Sequence, residues 1–292
     1  MYSYTIKDLE NLSGIKAHTI RIWEQRYSFL KPNRTQTNIR VYSAQELKTI
    51  LNVALLNKYG YKISHIDKMN QLEMNERMLS LNQQEAQLER IVNSLLQYMI
   101  DLDIESLEHV LDEFIAERGV EKTIVQIVFP FLQKIGILWL TNHINPAQEH
   151  LVSSIIRQKI IVGINSVKPA TNASKSVLLF LPETEYHELS LLFMNYMLKC
   201  RGFTTIYMGC SISLDEVETV VNIKKPAYIY THLTSMNAKF DLNKFILNAS
   251  TKFPKTPVII SGSVIKAHKK NIPAPVKLLK SFSEVMDFID LL

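Results

Sequence analysis

The feature that most constrains this chain is an alternation, after residue 175, of short and almost wholly apolar runs with helical stretches. Val177-Leu178-Leu179-Phe180-Leu181, Thr204-Thr205-Ile206-Tyr207-Met208, Ala227-Tyr228-Ile229-Tyr230 and Val258-Ile259-Ile260 read as strands, with Val276 to Leu279 as a fifth. Between them Leu191, Leu192, Met194, Met197 and Leu198 recur at helical spacing, and Ser213 with Glu216 forms a capping box. Strands apolar on both sides must be covered on both faces, and strands separated by helices pair in parallel. The expectation for 175–292 is a doubly wound, flavodoxin-like parallel sheet. Such sheets bind ligands beyond the carboxyl ends of their strands, which points to the loops after Leu181, Met208, Tyr230 and Ile260.

Upstream the period changes. Residues 82–168 carry apolar side chains at three- and four-residue spacing, centred on Leu88 to Met99, Leu107 to Phe114, Ile124 to Ile135 and Leu151 to Ile160. Four such stretches predict a four-helix bundle. Its last helix has a marked start, with Asn145 as cap, Pro146 at the first helical position and Gln148 at the third. Residues 1–75 differ again, with short helices and frequent turn residues. A helix after Thr5 ends at Leu12-Ser13-Gly14-Ile15, and a second runs from Lys16 to about Tyr27. Two helices joined by a turn containing Gly form a helix-turn-helix. The polar, basic stretch Lys31 to Arg40 suits a wing, and Ser43 with Glu46 caps a following helix that Gly60 ends. Ser64 reads as the start of one more short helix. The chain is therefore multi-domain, α and α/β.

Charge follows these segments. Residues 1–70 hold 11 Lys and Arg against 5 Asp and Glu, while residues 71–150 hold 5 against 13. A basic first segment before an acidic middle argues for a local polyanion-binding surface. The surplus of lysine after residue 150 reads as solvated charge. The longest apolar stretch, Ile124 to Leu140, is interrupted by Gln126, Gln133 and Lys134, and no signal-like opening precedes the first helix, so no membrane partner is expected. Cys200 and Cys210 lack CxxC spacing and read as buried small residues of a reducing compartment. The expected location is cytoplasmic.

Three groups of residues carry chemistry. On the second short helix Lys16, His18, Thr19, Arg21 and Arg26 offer donors, while Ile20 and Trp23 face the core; arginine can take a bidentate geometry on guanine or on phosphate. Trp139 and the pair Glu149-His150 are separated by nine residues across a helix–helix turn, and can converge on one end of the bundle. In the loop after the first strand of the sheet, Glu185 precedes His187 by two residues. That is either a capped helix start with an exposed histidine or an imidazole whose tautomer a carboxylate fixes.

The segment Tyr4-Thr5-Ile6 … Gly14-Ile15 … His18-Thr19-Ile20-Arg21-Ile22-Trp23-Glu24 … Arg40-Val41-Tyr42-Ser43 resembles the winged helix of MerR-type transcription regulators. The resemblance implies a helix in the major groove and a wing on phosphate, with Arg21, Arg34, Arg40 and Tyr42 as groove and backbone contacts. The phrase Trp139-x9-Glu149-His150 resembles the upper-face motif of the CarH/LitR-like photoreceptor group, which joins a MerR-type domain to a C-terminal cobalamin-binding domain. By that resemblance Trp139, Glu149 and His150 lie over the upper axial side of adenosylcobalamin. Glu185-Tyr186-His187-Glu188-Leu189-Ser190 is similar to the Asp/Glu-x-His-x-x-Gly element of cobalamin-binding domains, which makes His187 the lower cobalt ligand and Glu185 its partner. Thr231 and Leu233 stand where that group has Ser-x-Leu, and Gly262-Ser263 near its Gly-Gly. Ser190 and Ser263 are departures, each adding atoms where the group has glycine.

The resemblance implies a repressor whose homo-oligomerisation, as dimer or tetramer, and binding to a double-stranded DNA operator depend on adenosylcobalamin and light. The departures favour an alternative, a regulator that keeps the fold, has lost the cofactor and answers to a protein partner or another ligand. A cobalamin-dependent enzyme or carrier fits less well, because the remaining length has no room for a substrate barrel. A nucleotide oxidoreductase lacks its GxGxxG after Leu181. No catalytic residue is assigned.

Overall fold

The computed structural model describes residues 3–141, 143–168, 175–235 and 240–291, in two compact units, 1–155 and 156–292. The first unit opens with α1 (Ile6–Ser13), where Thr5 and Asp8 form a capping box and Gly14, at φ 75°, ends the helix in the left-handed region. Recognition helix α2 (Ala17–Arg26) buries Ile20 and Trp23, as their positions in the sequence require. The wing is a two-stranded antiparallel ribbon, β1 (Asn33–Arg34) on β2 (Arg40–Val41), with Arg34 opposite Arg40. Helix α3 (Ala44–Lys58) starts from the Ser43/Glu46 capping box, and α4 (Ile63–Ile66) follows Gly60. A further helix that the periodicity had not announced, α5 (Gln71–Leu79), begins on Asn70, whose side chain accepts from Glu73 N. Only Met74 and Met78 of its nine residues are buried, too few to print a pattern.

The four expected bundle helices are present as α6 (Gln84–Asp101), α7 (Ile104–Thr123), α8 (Phe129–Leu140) and α9 (Pro146–Ser166). A π turn, Ile124–Val128, continues α7 into α8, and the sharp break lies earlier, at Gly119 (φ 81°, ψ 164°). The run Ile104–Leu140 is long and apolar enough by composition to cross a membrane. In the fold, Gly119 breaks it, and Ile124, Ile127, Val128, Phe131, Ile135 and Leu138 are packed in the core. The α9 start is as expected: Ala147 N donates to Asn145 Oδ1 at 2.9 Å and Asn145 N to Gln148 Oε1 at 3.0 Å. Leu151, which the spacing assigns to the core, is instead 43% exposed.

The winged helix and the bundle are packed as one body. Lys134 Nζ donates to the Leu12 carbonyl at 2.7 Å, and burial lowers its pKa. His143 lies 3.1 Å from the fully buried Asp8 carboxylate, Lys58 pairs with Glu89 at 2.6 Å, and Lys48 pairs with Asp101.

The second unit contains the predicted sheet. Strands β3 (Ser176–Pro182), β4 (Thr204–Ile212), β5 (Tyr228–His232), β6 (Val258–Ser261) and β7 (Val276–Leu279) lie in the order β4-β3-β5-β6-β7, all parallel. Helices α10 (Leu189–Cys200), α11 (Leu214–Lys224), α12 (Leu242–Lys252) and α13 (Phe282–Leu291) alternate with them. Register aligns Leu179 with Tyr230, and Tyr230 with Ile259. The order reverses at β3, whose carboxyl end therefore borders the crevice of a doubly wound sheet. One expectation fails here: Cys200 is exposed at the end of α10 and Cys210 is half-buried, so neither is a core residue.

Candidate functional site

On α2 the side chains of His18, Arg21 and Arg26 are exposed, as is Lys16 at its cap, while Thr19 is half-buried. Lys16 reaches Glu10 at 3.4 Å, a surface pair of little strength. Arg34 is exposed in the wing and donates to Asn38 Oδ1 at 2.7 Å. Tyr42 is different: it is fully buried and its hydroxyl donates to the Glu24 carboxylate. Burial, then Glu24, pushes that hydroxyl pKa up. Arg40 Nε donates to the other Glu24 oxygen at 2.7 Å. The reading of Tyr42 as a phosphate contact is therefore corrected, because a buried hydroxyl already held by a carboxylate has no surface to offer. Arg40 is half-buried and acts first as the tie between wing and helix. Glu24 was in the quoted motif without a role; its position one turn beyond Ile20, beside buried Trp23, was the signal available.

In the bundle, Trp139 is 48% exposed although its neighbours Ile135 and Leu138 are buried. A large aromatic left outside its own core suits contact with something else. Glu149 and His150, in the first turn of α9, form a pair at 3.1 Å with the imidazole outward.

The second unit positions His187 with unusual definition. After β3 the chain turns through Thr184 (φ 72°), Glu185 N donates to Pro182 O at 3.0 Å, and the Glu185 side chain folds inward until it is fully buried. There it accepts from His187 N at 2.9 Å, Thr234 N at 2.9 Å, Ser235 N at 3.0 Å and His187 Nδ1 at 2.6 Å. Burial alone would raise its pKa, but these donors outweigh burial and hold it at about 2. A permanent carboxylate can only accept, so Nδ1 carries the proton and Nε2 carries the lone pair. The imidazole itself is exposed at the carboxyl edge of the sheet.

Beside this pair, the carboxyl end of β5 gathers polar groups that the sequence reading passed over. Tyr230 hydroxyl and Ser261 Oγ are 2.5 Å apart, and His232 Nδ1 is 2.8 Å from Ser261 Oγ. Burial lowers the His232 pKa to about 4. Strand alternation puts Tyr230 and His232 on one side and Thr231 and Leu233 on the other, and only the second pair had been singled out. Thr231 and Leu233 are fully buried, and the hydroxyls of Thr231 and Thr234 have no hydrogen-bond partner among the described residues. Gly262 holds φ 110°, and a Cβ there would stand 2.1 Å from Leu233 O, so this glycine is obligatory for the backbone alone. Ser263 donates its hydroxyl to Thr234 O, and Ser190 sits half-buried in the first turn of α10. With both serines in place the His187 imidazole remains exposed. An outward imidazole of fixed tautomer and orphaned hydroxyls at the same sheet edge fit a cobalt-centred group.

Comparison with known proteins agrees with this division. The family described as MerR HTH family regulatory protein matches residues 4–73, and the family described as B12 binding domain matches residues 91–162. The HTH-type transcriptional repressor CarH of Myxococcus xanthus is 25% identical over 274 residues, covering 91% of each chain. The repressor CarA of the same organism is 24% identical over 269 residues, covering 91% of this chain and 89% of its own. Among solved structures, the monomethylamine corrinoid protein of Methanosarcina barkeri aligns with a TM-score of 0.54 at 12% identity, over 70% of this chain and 99% of its own; that likeness concerns the fold. With a winged helix, a helical segment that matches the B12 binding domain and a parallel α/β domain in this order, the chain has the organisation of a CarH-like MerR-type regulator and is similar to such repressors over nine-tenths of its length.

Proposed function

We propose that this protein is a transcriptional repressor that binds operator DNA through His18, Thr19, Arg21, Arg26, Lys16 and Arg34, and that adenosylcobalamin and light control that binding. The observation that carries the reading is the buried Glu185 carboxylate, which fixes the tautomer of His187 at the carboxyl edge of the sheet, in a chain that also carries a winged helix. The relatives named as repressors and the B12-domain match support it. By the same resemblance Trp139, Glu149 and His150, with Thr231, Leu233, Gly262 and the two serines, would hold the cofactor. When bound, adenosylcobalamin supplies a cobalt–carbon bond that light breaks. The residues of this chain would do the rest: His187 would retain the cofactor, Trp139 would couple its state to the bundle, and the α2 arginines would hold the DNA groove. DNA-competent assembly is a homodimer or tetramer, since two-fold operators match two-fold readers.

The test is an absorption spectrum of the pure protein after dark incubation with adenosylcobalamin and gel filtration, repeated after illumination. A retained cobalamin spectrum that changes on illumination, with operator affinity falling in parallel, is the expected result. A colourless protein with the same operator affinity in every condition would reject the reading.

A further inference from the structure

Away from the sheet, the joint between the winged helix and the bundle holds a half-open cavity of about 330 Å³ between α3, α5 and α6. Its wall is polar where a helix–helix seam should be apolar. Arg90, Asn93 and Gln97 project from one face of α6 at three- and four-residue spacing, opposite Asn52 of α3. Asn93 is only 3% exposed, yet among the described residues its Oδ1 has no hydrogen-bond partner, and Arg90 Nε is likewise buried without one. Asn52, 8% exposed, receives a single long contact of 3.4 Å from Gln97 Nε2. Each unpaired buried polar group costs about 1–3 kcal/mol, so a seam that keeps several of them in one cavity is built for an occupant that pairs with them.

The chemistry of the wall specifies that occupant. The lining has one cation, Arg90, and no carboxylate, so a single anionic group is matched. The amides of Asn52, Asn93 and Gln97 supply both donors and acceptors, which suit hydroxyl or ammonium groups. Leu55 and Met78 cover a short carbon skeleton. The volume lies at the small end of ligand cavities and excludes anything as large as a cobalamin. We propose that this cavity binds a small hydroxy- or amino-carboxylate, its carboxylate on Arg90 and its hydroxyl or ammonium group on Asn93 and Asn52. Because α3 belongs to the winged helix and α6 to the bundle, such a ligand fastens the reading head to its support. It is a second input, independent of the cofactor reading.

Isothermal titration calorimetry on the full chain, with L-lactate, D-glycerate and L-threonine as probes and inorganic phosphate as counter-probe, tests this. At least one carboxylate binds at millimolar concentration or below, more tightly than phosphate. Arg90→Gln weakens it about tenfold to a hundredfold, the usual loss of a charge-assisted hydrogen bond. Ligand-free melting is measured first. If R90Q does not fold, Ser94→Leu, which narrows the cavity with Arg90 in place, abolishes the binding instead. No binding by any of the three carboxylates, tighter binding of phosphate, or undiminished affinity in the folded variant would overturn the proposal.

Discussion

A single carboxylate, Glu185, determines which nitrogen His187 presents, and it does so from a fully buried position with four donors. His187→Ala is expected to abolish or strongly weaken cobalamin retention while leaving the fold intact, seen as a colourless protein after gel filtration with unchanged circular dichroism. The sequence made this pair legible because the two residues are neighbours in one loop; the Thr234 and Ser235 amides that complete the site come from the far end of β5 and leave no trace in spacing. His232 was illegible for a related reason, since its partner Ser261 is a register neighbour on another strand. Its imidazole is held neutral, with the folded pKa of about 4 below the ordinary value. Stability is therefore complete above the unfolded value near 6.5 and is lost as pH falls from there toward 4. Urea midpoints should decline across that window in the native protein and decline less in His232→Asn.

At the scale of elements, caps and turns were the most readable parts. Ser43, Asn145 and Ser213 each occur as the cap their spacing predicts, and Thr5, after which the first helix was expected, caps it as well. Thr5→Ala is expected to cost about 1 kcal/mol, the usual loss of an N-cap, measurable as a lowered denaturation midpoint. What stayed hidden was continuity: the π turn that joins α7 to α8 satisfies its backbone locally and needs no marker residue. Gly262 shows the converse, one small residue whose need lies in a distant carbonyl. Gly262→Ala must displace the Leu233 backbone, and a loss of several degrees in melting temperature is expected, with weaker cobalamin retention in any folded product. In the wing, Arg34→Ala should weaken binding to all DNA sequences alike and reduce the slope of log affinity against log salt by about 1; a sequence-selective loss would mean that Arg34 reads bases.

At the scale of the molecule, the order of winged helix, bundle and sheet follows from two changes of period and charge along the chain. That the first two form one packed body could not be read, because Lys134 to Leu12 and His143 to Asp8 join residues more than a hundred positions apart. A ligand alters DNA affinity only through different affinities for the competent and incompetent states, and a coupling of about 1–3 kcal/mol suffices. Trp139→Ala should retain cobalamin on His187 yet lose the dark–light difference in gel-shift and sedimentation measurements made on the same sample. The tie at Glu24 bears on what such a body can recognise. One carboxylate grips Arg40 of the wing and Tyr42 behind it from the recognition helix, so the distance between helix and wing is set before any DNA arrives. A gauge with fixed jaws fits a duplex whose groove already has that width, or one that yields to it. In the proposed DNA complex, base pairs that no side chain touches then affect affinity through their stiffness, and stiff or flexible steps between helix and wing discriminate operators as surely as the bases assigned to Arg21.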